Sequence, residues 1–138
     1  MMFLVDTNVV SELRNYPRAN PNVRAWEKSV NPASMFFSVI CLFELELGTR
    51  QIEQRDPRQG KALRVWLDQQ ILPAFDGRII AVDIEIVRVC AAINVPDRRP
   101  FRDSLIAATA LVHGMTVVTR NVADFSPAGV PVLNPWDA

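Results

Sequence analysis

The chain has 138 residues, 49% apolar and 22% charged, which suits one compact domain with a hydrophobic core and excludes a disordered chain. Its 15 basic and 15 acidic residues cancel, so overall charge does not announce a nucleic-acid binder, and any affinity for phosphate has to come from where the charges sit. The longest apolar runs, such as Met35 to Cys41, are too short to span a bilayer, and Asp6 falls where a secretion signal needs apolar residues; a cytoplasmic protein with no membrane partner is expected.

In chain order, Phe3-Leu4-Val5 predicts a short buried strand, and the capping residues Asp6-Thr7-Asn8 lead into a helix over Val9 to Arg14. Pro17 to Pro21 breaks that helix. Asn20-Pro21 starts a second one, with Val23, Trp26 and Val30 at helical spacing, and Asn31-Pro32 ends it. Ser34 to Ile40, aromatic and β-branched, reads as strand two and is followed by a helix over Cys41 to Gln54. Pro57 opens a helix whose Leu63, Trp66, Leu67 and Ile71 form a core stripe. Arg78 to Val82 is the third strand. Asp83 reads as the cap of a helix through Ile93, with a fifth acid of the site described below as the alternative. The loop Asn94 to Pro100 leads into a helix over Arg102 to His113, which Gly114 stops. Met115 to Thr119 is the fourth strand, and Val130 to Leu133 is an edge strand. With no repeat and no linker, residues 1–138 read as a single domain.

Strands that alternate with helices imply an α/β fold: a central, mostly parallel sheet of four to five strands flanked by helices. Sites in such sheets form outside the carboxyl ends of the strands. Four acids fall at that edge. Asp6 follows strand one, Glu44 lies a helical turn beyond strand two, and Asp124 comes shortly after strand four. Asp103, in the first turn of the helix entering strand four, reaches the same edge through its helix direction. Carboxylates gathered this way repel unless a cation or protons neutralise them. Hard oxygen donors favour Mg²⁺ or Mn²⁺, which activate water and neutralise a phosphate, so phosphodiester hydrolysis is the expected chemistry. Taken singly, each acid has a plainer use: Asp6 as a helix cap, Glu44 as a solvent-facing helix residue, Asp103 as a partner of its helix dipole, Asp124 as a turn residue.

Thirteen of the 15 basic residues are Arg. Arg98, Arg99 and Arg102 crowd before Asp103, and Arg120 precedes Asn121. The planar guanidinium fork suits phosphate, although Arg-rich composition alone could account for the crowding. Other residues invite attention and are set aside. His113, at a helix C-terminus, suits the dipole there. Trp26, Trp66 and Trp136 are expected to pack. Gly60-Lys61 lacks the glycine and hydroxyl of a phosphate loop. Cys41 and Cys90, each among apolar residues without a CxxC partner, read as buried free thiols rather than zinc ligands.

Four segments together carry a family resemblance: Phe3-Leu4-Val5-Asp6-Thr7-Asn8, Ser38-Val39-Ile40 leading to Glu44-Leu45, Arg102-Asp103-Ser104-Leu105-Ile106-Ala107-Ala108-Thr109-Ala110, and Val117-Val118-Thr119-Arg120-Asn121-Val122-Ala123-Asp124-Phe125. In order and spacing the chain resembles the PIN-domain ribonucleases, in particular the VapC-type toxins and their FitB-like branch, down to Leu133-Asn134-Pro135-Trp136. The resemblance implies a PIN fold, a metal-dependent endoribonuclease using Mg²⁺ or Mn²⁺, a homodimer, and neutralisation by a small cognate VapB-like antitoxin. It also implies that Asp6, Glu44, Asp103 and Asp124 are the catalytic and metal-binding acids. Thr7 or Asn8, and Thr119 or Asn121, then look like the groups that orient those acids, while the clustering of Arg98, Arg99, Arg102 and Arg120 beside the acids is what makes them the expected RNA contacts. Two departures stand out. Glu46 follows Glu44 by two residues and should point elsewhere on its helix, and the stretch from Ala91 to Arg102 is short, which bears on substrate choice. An aspartyl-phosphate enzyme or receiver domain is disfavoured, because Asn8 stands where a second acid is needed and the partner lysine is missing. The rival from another class is a catalytically silent protein-binding module on the same fold, which would be free to lose its acids.

Overall fold

The computed structural model describes residues 1–137. Its centre is a five-stranded, all-parallel sheet in the order β3-β2-β1-β4-β5. The strands are β1 (Phe3–Val5), β2 (Met35–Ser38), β3 (Ile79–Ile80), β4 (Thr116–Val118) and β5 (Val132–Leu133). Every residue of β1 is buried, as are Val117 and Val118 of β4, so the middle of the sheet is covered on both faces. β1 pairs with β2 on one side and with β4 on the other. The chain therefore reverses its direction of winding between β1 and β4, where an open parallel sheet leaves a crevice at its carboxyl edge.

The connections are helical: α1 (Thr7–Leu13) and α2 (Pro21–Ser29) after β1; α3 (Val39–Arg55), α4 (Pro57–Trp66) and the short α5 (Leu72–Ala74) after β2; α6 (Ile84–Ile93) and α7 (Phe101–His113) after β3; and α8 (Val122–Phe125) after β4. Capping chemistry sets most starts. The side chains of Asn20, Ser38, Asp56 and Asp83 accept backbone N–H bonds at the first turns of α2, α3, α4 and α6. Asp83 is thus an exposed cap. Gly114 ends α7 in the left-handed conformation (φ 65°), which costs glycine no steric clash.

Several boundaries differ from expectation for local reasons. Strand two ends at Ser38 rather than Ile40, because the Ser38 hydroxyl accepts from the Ile40 N–H and opens α3 there. The helix expected to run unbroken from Pro57 widens into a π-helical segment over Leu67–Ile71 before α5. Leu67 and Ile71 stay buried through that widening, so the core stripe survives. One large apolar cluster joins the strands to α1 through α4 and α7, and a smaller one, with Ile86, Cys90, Leu105 and Ala108 at its heart, binds α6 to α7. Cys41 and Cys90 are buried free thiols. Among the described residues no helix is long and apolar enough to cross a membrane.

Candidate metal centre

Asp6 leaves β1 at the crevice between β1 and β4, its own N–H held by Val118 O at 2.9 Å. Its carboxylate is 1% exposed, yet both oxygens have hydrogen-bond donors. Oδ1 accepts from the Thr7 N–H at 2.7 Å and from Arg102 Nη2 at 2.6 Å, with the Cys41 thiol at 3.8 Å. Oδ2 accepts from the Thr119 hydroxyl at 2.8 Å. That hydroxyl also accepts from Asn8 Nδ2 at 3.2 Å and from the Asn121 N–H at 3.0 Å, which exhausts its one donor and two acceptor sites. Asn8 Oδ1 in turn accepts from the Arg120 N–H at 3.4 Å. Thr119 therefore fixes Asp6 while tying together the ends of β1 and β4.

Glu44 arrives from α3, on the face it shares with Cys41 three residues earlier. Oε1 accepts from the Thr7 hydroxyl at 2.8 Å. Asp103 arrives from the first turn of α7 and accepts from Arg102 Nη1 at 3.0 Å. Arg102 itself lies across all three acids, with Nε and Nη2 each 2.8 Å from the two oxygens of Glu44. Asp6, Cys41 and Glu44 each present a ligand-type atom within 4.8 Å of one another. Asp124, exposed in the first turn of α8, contributes through charge: it raises the pKa of Asp103.

The electrostatics follow from burial against ion pairing. Burial pushes Glu44 upward, but the Arg102 and Thr7 hydrogen bonds and the guanidinium charge outweigh it and hold the carboxyl below its ordinary range. Asp103 goes the other way. Its burial, helped by the charges of Asp124 and Asp6, prevails over Arg102 and raises it. Burial and then the Asp6 charge push the Cys41 thiol up to about 12, so it stays protonated and serves as a weak donor to Asp6. Arg102 is raised in spite of its burial, by its bonds to Glu44 and Asp6.

The other arginines are placed differently. Arg99 donates from Nε to Ile93 O at 3.2 Å and closes the C-terminal end of α6, while Arg98 lines the adjoining cleft with Val87, Asn94 and Phe101. The Arg120 guanidinium lies over the Trp136 ring, 5.3 Å from its centroid. Glu46 points away from Glu44 into pairs with Arg50 and Arg64, both beginning at 3.0 Å or less. Two members of the constellation were not anticipated from the sequence: Cys41, whose spacing from Glu44 is a usable signal, and Arg102 as a partner of the acids, for which adjacency to Asp103 gives no directional signal. An open groove of about 360 Å³ runs from Thr7 and Glu44 past Ser11 and Arg14 to Trp66.

The donor set suits a hard divalent cation. It offers carboxylate oxygens from three separate elements, and those oxygens already converge on one positive charge, the Arg102 guanidinium. The PIN-domain family profile matches residues 3–126, and the chain belongs to the PIN-domain family. Within it, the chain falls in the VapC-type, FitB branch. It is 38% identical to Toxin FitB of Neisseria gonorrhoeae over 98% of this chain and 99% of that one. To the VapC ribonuclease Y4jK of Sinorhizobium fredii it is 32% identical, over 99% of each. A crystal structure of FitAcB from Neisseria gonorrhoeae superposes with a TM-score of 0.90 at 36% identity, covering 99% of this chain and 100% of that one.

Proposed function

We propose that the chain is a VapC-type ribonuclease toxin that hydrolyses phosphodiester bonds in RNA at the Asp6–Glu44–Asp103–Asp124 edge and is neutralised by a cognate VapB-like antitoxin. One observation carries the reading: carboxylates from the end of β1, from α3 and from α7 converge on a single cationic group at the crevice between β1 and β4. The relatives named toxin and VapC ribonuclease supply the choice of RNA.

In this reading Asp6, Glu44 and Asp103 hold Mg²⁺, with Mn²⁺ able to replace it, and Asp124 adds negative charge at the open side. The bound cation supplies positive charge to the scissile phosphate and acidifies the attacking water. Thr119 and Thr7 orient Asp6 and Glu44, as hydrogen-bonded partners of metal-binding carboxylates do. Asn8 and Asn121 brace Thr119. Burial raises the Asp103 carboxyl above its ordinary range, and a cation beside it would oppose that rise. RNA enters from the groove beside Thr7 and Arg14, and Arg98 and Arg120 offer exposed positive charge for the backbone. A homodimer is part of the same proposal.

The test is cleavage of RNA by the purified chain, freed of any antitoxin, with Mg²⁺, with Mn²⁺ and with chelator. Cleavage should require the cation, and Asp6→Asn and Glu44→Gln should each lower it by roughly two to three orders of magnitude. Equal cleavage by wild type and both variants would point to a contaminating nuclease and return the chain to the silent-module reading.

A further inference from the structure

Arg102 has a relationship to the acids that neither phosphate binding nor simple packing explains. Its guanidinium makes a fork-to-fork pair with Glu44, Nε to Oε2 and Nη2 to Oε1, both at 2.8 Å. The same Nη2 donates to Asp6 Oδ1 at 2.6 Å, and Nη1 donates to Asp103 Oδ1 at 3.0 Å. Four of its five N–H groups are therefore spent on three carboxylates, the arrangement in which Arg binds most firmly. Asp124 is exposed, and among the described residues no hydrogen bond joins its side chain to this group. The Arg102 side chain is 33% exposed, which leaves a path outward without unfolding α7.

The oxygens that hold Arg102 are the oxygens a divalent cation needs. Two positive centres cannot share them at contact distance, because each would lose the carboxylates that offset its desolvation. We propose that Arg102 is a built-in competitor for the metal: it neutralises the acids while the cation is absent, and loading the cation requires the guanidinium to swing away. This rests on the metal-site reading above. It gives the chain a metal affinity set by the fraction of molecules in which Arg102 is out, since a site that is only partly available binds correspondingly more weakly.

The test measures binding and not cleavage. Full-length wild type, Arg102→Ala and Arg102→Lys are stripped with chelator, dialysed and titrated with Mn²⁺ by calorimetry, with thermal melts before and after. Arg102→Ala should bind Mn²⁺ roughly tenfold or more tightly, within the ordinary range of coupling between sites. It should also melt lower than wild type in chelator and gain more on adding Mn²⁺. Arg102→Lys, a point charge unable to bridge three acids, should fall between. Should Arg102→Ala fail to fold without metal, the wild type decides. Its Arg102 Nε–H NMR signal, identified by its loss in Arg102→Lys, should move on titration with diamagnetic Mg²⁺ and saturate with the calorimetric affinity. Unchanged or weaker Mn²⁺ binding by Arg102→Ala, or an Nε–H signal that stays in place at saturating Mg²⁺, overturns the competitor while leaving the metal site intact. No binding by any of the three proteins overturns the metal site and the competitor with it.

Discussion

Thr119 shows how little slack the site has. It is fully buried, and its hydroxyl has a partner for the proton and for both lone pairs. Thr119→Val keeps the shape but strands Asp6 Oδ2 and the Asn121 N–H, which should cost about 1–3 kcal/mol in chemical denaturation. A cost near zero would mean that water replaces the hydroxyl. Glu44 and Asp103 carry opposite signs in pH. Glu44 is lowered, so its contribution is complete above its unfolded pKa and is lost as pH falls through the lower folded value. Asp103 is raised, so its charge costs stability at neutral pH, and the cost fades as pH falls through that raised value. In chelator at pH 7, Glu44→Gln should therefore lower the melting temperature and Asp103→Asn should hold or raise it, with both differences shrinking in acid. Melting shifts of the same sign for the two variants would contradict this assignment of charge. Asp6 and Glu44 were legible in the sequence because each follows a recognisable strand. The partnership of Arg102 with them was not, since a long flexible side chain in a first helical turn can reach in several directions.

Among elements, α3 and α4 depend on a close approach at Gly60. A methyl group there would lie 2.4 Å from the Glu53 Cα, a backbone atom that cannot step aside. Helix propensity favours alanine by about 1 kcal/mol, yet overpacking against backbone should exceed that gain. Gly60→Ala should thus be destabilising in spite of its helical position; a stabilised variant would show that the two helices can slide apart. Across this contact Arg64 ties Glu46 and Glu53 together at 2.7 and 3.0 Å. The sequence identified Gly60-Lys61 only as something that is not a phosphate loop, because a packing glycine has no local signature. Strand and helix order was legible from hydrophobic periodicity and capping residues, and the errors fall at boundaries. Val39 and Ile40, assigned to a strand, turned out to open α3 behind the Ser38 cap, and the π-helical widening after Trp66, through which Leu67 and Ile71 stay buried, has no signal in the periodicity.

At the level of the whole molecule, sheet topology makes the site. β1 lies between β2 and β4, so the winding reverses beside Asp6, and the helices that carry Glu44 and Asp103 both begin at that edge. This much followed from alternating strands and helices and from the rule that parallel sheets bind ligands at their carboxyl ends. The choice of RNA came from resemblance, and the similarity to Toxin FitB and to a VapC ribonuclease over nearly the whole chain agrees with it. A net charge of zero gave no help, because the positive charge that matters to the acids is one side chain folded onto them. The central claim, that these acids form a cation site, is tested most directly by crystals of the chelator-stripped chain grown with Mn²⁺ and measured for anomalous scattering. The account predicts a strong anomalous peak among the carboxylates of Asp6, Glu44 and Asp103, with Arg102 turned away from them. A map with no peak there, and Arg102 still bridging the three acids at saturating Mn²⁺, would contradict it.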